Sequence, residues 1–165
     1  MHYMYKTRTK TGFKTRFLVE AAVIAALYAV LTIAIPGGSG QIQVRVSEVL
    51  TILAFFTPAA IPGLFVGCLT ANIFVGAGPY DIFLGSFATL LAAVLTWKMP
   101  SKYLAPLPPV ILNAVAVAII LKLSINAPVL ITMGFVALGE LIACYVMGYP
   151  LLLFVQKNRS RLFKS

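Results

Sequence analysis

Carboxylates are scarce in this chain, and two of them lie where a charge is expensive. Glu20, Glu48, Asp81 and Glu140 are the complete set, and Glu140 lies inside a long apolar stretch with no Lys or Arg within one helical turn. A charge at the centre of a membrane helix costs about 2.5–3.5 kcal/mol on insertion scales, so a lone intramembrane carboxylate indicates a functional site. The neighbouring Gly139 lets another backbone approach closely. We therefore predict that Glu140 contacts a ligand.

The other three carboxylates have local alternatives. Glu48 follows Arg45 at i,i+3 spacing, so these two side chains could form a local ion pair instead of contacting a ligand. Glu20 is placed to pair with Arg16 or to complement a helix dipole. Asp81 could cap the helix that it begins. Of these, Glu48 is the stronger site candidate, because it belongs to a short apolar segment with one polar edge, as expected of a cavity wall.

Two amides extend the candidate site. Asn72 and Asn113 lie within apolar segments, where each could serve as a hydrogen-bonding contact between helices instead of a ligand contact. Together with Glu48 and Glu140 they predict a polar pocket enclosed by several helices. The predicted substrate-binding residues are Glu48, Glu140, Asn72, Asn113, Arg45, Ser47, Tyr80 and Asp81.

Signatures of enzymes are missing from the sequence. There is no phosphate-binding loop, no Gly-x-Ser-x-Gly motif and no metal-ligand cluster, and the only histidine is His2. Cys68 and Cys144 lie in apolar runs and are interpreted as small buried hydrophobes. We therefore predict no catalytic residue, no metal and no cofactor.

Composition identifies the solvent of this chain as lipid. Hydrophobic residues make up 61% of its 165 residues, and charged residues make up only 10%. Soluble domains carry about 25% charged residues. So few charges could not cover the surface of a water-soluble domain of this size. We predict an all-α integral membrane protein.

Breaker residues divide the apolar sequence into six segments. The predicted helices are 16–35, 46–56, 59–75, 81–97, 107–123 and 128–155. A membrane span needs about 20 residues, so the second segment is too short to cross straight through. We predict a bundle of six transmembrane helices (residues 16–156) between basic tails at 1–15 and 157–165.

The distribution of positive charge predicts the orientation. Cations crowd both tails, and Lys98 and Lys102 lie in the loop between the fourth and fifth segments. With six spans, these three regions share one side, and positive residues favour the cytoplasm. We predict cytoplasmic termini in a plasma-membrane protein. Binding of nucleic acid by the basic tails is the alternative that we set aside.

A flat face of small residues runs along the first segment. It consists of Ala21, Ala22, Ala25, Ala26 and Ala29. Small residues at this spacing allow close packing of a second helix, which belongs either to a partner protein or to the same bundle.

Four central motifs are specific: Arg45-Val46-Ser47-Glu48, the run from Thr57 to Cys68, Ala71-Asn72, and the run from Asp81 to Ala92. Together they resemble the QueT family, the substrate-binding S components of energy-coupling factor (ECF) transporters. The resemblance covers nearly the whole chain from the first segment to Pro150. It implies a six-helix S component for a queuosine precursor, 7-aminomethyl-7-deazaguanine, that associates with a transmembrane coupling subunit and two ATPases. It also implies that the alanine face meets the coupling subunit.

The chemistry of such a ligand fits the predicted site. A guanine-like edge offers two adjacent donors to one carboxylate, and the aminomethyl cation needs a second carboxylate. Glu48 and Glu140 are predicted in these two roles, in either order, with the two amides near the carbonyl and ring nitrogens and Tyr80 or a Phe stacking on the base. Loops 36–44 and 76–81 would cover the pocket. A standalone carrier, a scaffold without ligand, and an S component for another cationic heterocycle are the alternatives.

Overall fold

A computed structural model gives the fold for residues 10–35 and 45–158, and the regular elements in these ranges are all helical. Six helices follow one another, and they are called the first to the sixth helix below. Their bounds are Lys10–Ala34, Val46–Phe55, Ala60–Phe74, Asp81–Trp97, Leu107–Ile125 and Val129–Lys157. The all-helical prediction is confirmed. Most of the two tails and the predicted loop 36–44 lie outside the described residues.

Helix lengths bear on the predicted number of spans. Three helices of the described chain are long and apolar enough to cross a membrane: Lys14–Ala34, Leu107–Ile125 and Val129–Lys157. The other three contain 10–17 residues each. Large apolar side chains lie open on the outside of the bundle, with Leu130 82% and Phe74 76% exposed. Lipid accounts for such a surface, whereas in water it would be an aggregation liability. Six complete spans and cytoplasmic termini stay predictions.

The second helix is a 3-10 helix along its full ten residues. At about 2.0 Å per residue it reaches about 20 Å, compared with about 15 Å for an α-helix of the same length. It packs against the first, third, fourth and sixth helices, and seven of its residues are buried. Protein therefore surrounds this short element, which is the setting in which irregular helix geometry is tolerated at membrane depth.

Two further departures from α-helix geometry flank the predicted site. The fourth helix opens with a π-helical turn, Asp81–Gly85, and the sixth contains another, Ile142–Met147, directly after Glu140 and Leu141. Such π-turns occur frequently at functional sites. Glu48, Asp81 and Glu140 thus each lie in, or within two residues of, a stretch of irregular helix.

Glycines set the spacing of the first and third helices. A Cβ added at Gly63 would lie 2.7 Å from the Ala21 carbonyl oxygen, and one at Gly67 would lie 2.8 Å from that of Ala25. Backbones approach this closely only where no side chain intervenes. The side of the first helix that carries Ala21 and Ala25 is therefore used for packing within the chain itself.

Glu20 links the first helix by hydrogen bonds to the segment just before the third helix. Its Oε1 accepts a hydrogen bond from Arg16 Nε at 2.7 Å, which confirms the predicted i,i+4 pair. Its Oε2 accepts one from the Thr57 hydroxyl at 3.0 Å. The same hydroxyl accepts the backbone N–H of Ala59 at 3.3 Å, just before the third helix. Glu20 therefore joins two elements that are distant in sequence.

We expect Glu20→Ala to lower the free energy of unfolding by about 1–2 kcal/mol, because the Thr57 hydroxyl loses a charged acceptor. Thermal unfolding in detergent measures the effect. Thr57→Val should reproduce most of the loss, whereas Arg16→Met should cost about 0.5 kcal/mol, as exposed i,i+4 pairs do. A loss for Arg16→Met equal to that for Glu20→Ala would show that the contact with Thr57 contributes nothing.

Candidate binding site

Glu48 lies in the first turn of the second helix with no exposed surface. Its Oε1 accepts a hydrogen bond from the hydroxyl of Tyr28 on the first helix. Its Oε2 is buried and has no hydrogen-bond partner among the described residues. The Glu48 backbone carbonyl accepts from the Thr51 hydroxyl at 2.6 Å and from Cys144 Sγ at 3.8 Å. Backbone and one carboxyl oxygen are thus held, and one carboxyl oxygen stays free.

Glu140 is almost as deeply buried, with 1% of its surface exposed. Asn113 Nδ2, from the fifth helix, donates to Glu140 Oε1 at 3.2 Å. Cys144 Sγ, one turn further along the sixth helix, lies 3.6 Å from Glu140 Oε2. Both carboxyl oxygens of Glu140 therefore have an internal donor. One donor is an amide at the long end of the hydrogen-bond range, and the other is a weakly donating thiol.

These contacts unite the predicted residues into one group, which we call the carboxylate cluster: Tyr28, Glu48, Asn113, Glu140 and Cys144. Cys144 contacts both the Glu48 carbonyl and the Glu140 carboxyl. The first, second, fifth and sixth helices each contribute at least one member. The structure therefore brings together Glu48, Asn113 and Glu140, as the sequence predicted.

Arg45 forms its ion pair with Asp81 and not with Glu48, its neighbour at i,i+3. Its Nη2 lies 3.9 Å from Asp81 Oδ1, and both side chains are about a quarter exposed (23% and 28%). The i,i+3 pairing with Glu48 is thus not the contact that forms, because Glu48 turns inward to Tyr28. Arg45 still interacts electrostatically with Glu48 and Glu140. It lies with Asp81 at the edge of the carboxylate cluster.

The charges inside the cluster are not balanced by direct contacts. Within the described ranges, neither Glu48 nor Glu140 has a Lys, Arg or His nitrogen within 4.0 Å. Buried carboxylates are strongly destabilising unless a partner compensates them. A ligand that supplies positive charge and hydrogen-bond donors is the complement that such a site needs.

Asn72 has a different environment from Asn113. Its Nδ2 donates to the Asp81 backbone carbonyl at 3.0 Å, at the start of the π-turn of the fourth helix. The Thr89 hydroxyl donates to the Gly85 carbonyl at 3.1 Å, at the end of the same turn. The two side chains therefore bond to carbonyls at opposite ends of the π-turn. Asn72 thus makes the interhelical contact considered above, and its contact with a ligand stays a prediction.

Ser47 and Tyr80 complete the predicted set. The Ser47 hydroxyl is buried without a hydrogen-bond partner among the described residues, and so is that of Ser86, just after the π-turn of the fourth helix. Tyr80 is 44% exposed, next to Asp81. An unpartnered buried hydroxyl is unfavourable unless something else bonds it, so Ser47 stays a candidate and Ser86 joins it.

Sequence reasoning missed Tyr28, Cys144 and Ser86. Tyr28 had a usable signal, because it is a phenol in the middle of an apolar helix and lies one turn after Ile24, which is also buried. A buried phenol usually has a hydrogen-bond partner. Cys144 was interpreted as a packing residue, and it is buried, but its thiol also reaches Glu140 at i,i+4 spacing. Ser86 had no signal in the sequence.

The alanine face of the first helix divides into two sides. Ala21 and Ala25 contribute the backbone atoms that approach Gly63 and Gly67 of the third helix. Ala22 and Ala26 are exposed, and Ala29 is half-buried. One side is therefore occupied by the chain itself, while the other is open. Binding of a partner to the open side stays a prediction.

Comparisons with known proteins identify the family of this chain. Residues 18–157 match the profile of the family described as QueT transporter. The chain belongs to the QueT family. It is 32% identical over 154 residues to a protein of Lactococcus lactis subsp. cremoris named queuosine precursor transporter QueT, an alignment that covers 82% of this chain and 90% of the relative. No solved structure gives a significant match.

Membership of the QueT family confirms the predicted resemblance and assigns the chain to transport instead of catalysis. The matched range contains Tyr28, Glu48, Asn113, Glu140 and Cys144, the whole carboxylate cluster. Within the described residues, no group of three or more His, Cys, Asp or Glu is arranged to hold a metal ion.

Proposed function

We propose that this QueT-family chain is the membrane-embedded substrate-binding subunit of an ATP-driven importer of the ECF type. Its substrate is a queuosine precursor, 7-aminomethyl-7-deazaguanine, which it captures from outside the cell. The observation that carries the proposal is the pair of buried carboxyl groups, Glu48 and Glu140, without a cationic side chain in contact. The name of the Lactococcus relative supports the same class of substrate.

The ligand matches the cluster group by group. An aminomethyl substituent is a cation near neutral pH and needs one carboxylate. The ring N–H and the exocyclic amine of a guanine-like base lie side by side, so a second carboxylate accepts both. The Asn113 amide, bonded to Glu140, has donor and acceptor atoms for the carbonyl and ring nitrogens. An anionic substrate would be repelled by the same arrangement.

The proposed partners are a transmembrane coupling subunit and two ATPases, as in ECF transporters. The chain has no phosphate-binding loop of its own, so energy from ATP must come from another subunit. The open side of the first helix, with Ala22 and Ala26, is the proposed contact for the coupling subunit. Cytoplasmic termini in the plasma membrane follow from the basic tails and from Lys98 and Lys102.

Equilibrium binding of 7-aminomethyl-7-deazaguanine to the purified full-length chain in detergent tests the substrate. We expect binding by the unaltered chain and a loss of affinity of about tenfold or more in Glu48→Gln and in Glu140→Gln, because each removes one charge-assisted contact. Asn158→Ala is the control, since it removes an exposed amide at the end of the sixth helix. Absence of binding by a well-folded chain would overturn the assignment of the substrate.

Reconstitution in proteoliposomes tests the coupling. We expect uptake only when the coupling subunit, both ATPases and ATP are present. Uptake by the chain alone would identify it as a standalone carrier and would contradict the proposed dependence on ATP.

A further inference from the structure

The four carboxyl oxygens of the cluster differ in how firmly they are held. Glu48 Oε1 accepts from the Tyr28 phenol, whereas Glu48 Oε2 has no partner among the described residues. Glu140 Oε1 accepts from the Asn113 amide at 3.2 Å, and Glu140 Oε2 lies 3.6 Å from the Cys144 thiol. This asymmetry bears on which ligand group each carboxylate meets.

The strengths of the internal donors follow from their chemistry. A hydrogen bond between a phenol and a carboxylate is charge-assisted and strong, whereas a thiol is a weak donor. A ligand therefore displaces Cys144 from Glu140 more easily than it displaces Tyr28 from Glu48. The Oε1 atoms of Glu140 and Glu48 each retain a lone pair beside their internal bond, because each carboxylate oxygen accepts about two hydrogen bonds. The most available oxygen of Glu48 is therefore Oε2, which no internal donor reaches, whereas Glu140 can offer both oxygens to a ligand once its weak thiol contact is released.

Packing fixes Tyr28 in this arrangement. Its side chain is 1% exposed, and its Cβ is 2.8 Å from where a Cβ on Gly67 would lie. Because the first and third helices approach closely, the Tyr28 side chain packs against the backbone of Gly67. A rigid phenol keeps Glu48 in one orientation, with Oε2 as its free atom.

We propose that Glu48 binds the cationic aminomethyl group of the ligand through Oε2, that Glu140 binds the ring N–H and exocyclic amine of the base, and that Tyr28 is the positioning residue that establishes this division. The proposal rests on the proposed function and deepens it, since it assigns each carboxylate to one part of the same ligand. The ion-pair partner of Arg45 is Asp81, and Arg45 interacts with Glu48 and Glu140 only at longer range, so it does not assign either carboxylate to one part of the ligand.

Two probes that differ in a single group test the assignment. They are 7-aminomethyl-7-deazaguanine, which carries the cation, and the corresponding nitrile, which is neutral and has the same guanine-like edge. The quantity measured is the ratio of their dissociation constants, nitrile over aminomethyl, in the unaltered chain and in each variant. This ratio isolates the contact with the cation from the contacts with the base.

Glu48→Gln should lower the ratio about tenfold or more while changing the affinity for the nitrile less than about threefold. Glu140→Gln should weaken both probes by a similar factor of about ten or more and leave the ratio within about threefold. A ratio that depends on Glu140 and is insensitive to Glu48 would overturn the assignment, as would a ratio that neither variant changes. If the unaltered chain binds neither probe, the proposed function fails instead, so the two failures are distinguishable.

Tyr28→Phe tests the positioning role separately. The variant keeps the ring that packs against Gly67 and removes only the hydroxyl donor. We expect the ratio to fall about fivefold, with the affinity for the nitrile unchanged, because Glu48 loses its fixed orientation. A purely structural role would weaken both probes together, and that result would remove Tyr28 from the proposal. Unfolding temperatures of all variants identify any that fail to fold, and the comparison of Glu48 with Glu140 does not depend on Tyr28→Phe.

Discussion

Gly67→Ala is expected to destabilise the bundle by about 2–3 kcal/mol and to weaken ligand binding at the same time. The added methyl group would lie 2.8 Å from the Ala25 carbonyl oxygen and 2.8 Å from Tyr28 Cβ. Neither the backbone of the first helix nor the root of the Tyr28 side chain can turn away, so the two helices must separate. Separation moves the Tyr28 hydroxyl away from Glu48, which links the loss of stability to the binding site.

Gly134→Ala is the matched control for this prediction. Gly134 lies on the exposed side of the sixth helix, where an added Cβ meets no atom within 4 Å. The same change of residue should therefore leave stability unchanged or raise it by about 0.5–1 kcal/mol, since alanine favours helix more than glycine does. Thermal unfolding in detergent and equilibrium binding measure both effects. Equal unfolding temperatures for the two variants would contradict the packing argument.

Asn113→Leu is expected to lower stability by about 2–3 kcal/mol and to reduce ligand affinity about tenfold or more. Leucine has nearly the same size and shape, so packing around position 113 changes little. The substitution removes the amide donor to Glu140 Oε1 and leaves that carboxyl with only the weak thiol of Cys144.

The Asn158→Ala variant is again the comparison, because it loses an amide that donates to the Phe154 carbonyl at an exposed position. It should change stability by less than about 0.5 kcal/mol and should not change binding. Calorimetric binding and thermal unfolding of both variants provide the measurement. Normal binding by a folded Asn113→Leu protein would show that the amide takes no part in the site.

The difference between these two asparagines illustrates why burial of a polar group matters more than its identity in such a protein. Near the exposed end of the sixth helix, other groups can replace a lost hydrogen bond. Within the carboxylate cluster, the Asn113 amide donates to the buried Glu140 carboxyl, and its loss leaves that carboxyl with only the weak Cys144 thiol as a donor. Mutational effects should therefore be largest at the few polar residues that the helices enclose.

Composition, breaker residues and hydrophobic runs were sufficient to predict six helices with an apolar exterior and to single out Glu48 and Glu140, which the structure buries in one cluster. These features depend on short stretches of sequence or on the lipid that surrounds the chain. An apolar run in lipid must satisfy its own backbone hydrogen bonds and therefore becomes helical, and a carboxylate such as Glu140 stands out wherever its surroundings are apolar. The resemblance to the QueT family depended on short contiguous motifs, which can be found in a single sequence without the tertiary structure.

Only the tertiary structure decided the partners of those carboxylates. Arg45 is three residues from Glu48 but pairs with Asp81, while Tyr28, twenty residues away, donates to Glu48. Such choices depend on the separation of the first and third helices at Gly67 and on the 3-10 geometry that turns Glu48 inward. Both are properties of packing between distant segments. Spacing along the chain could indicate which residues are costly to bury, but the contacts that compensate them form only when the helices pack.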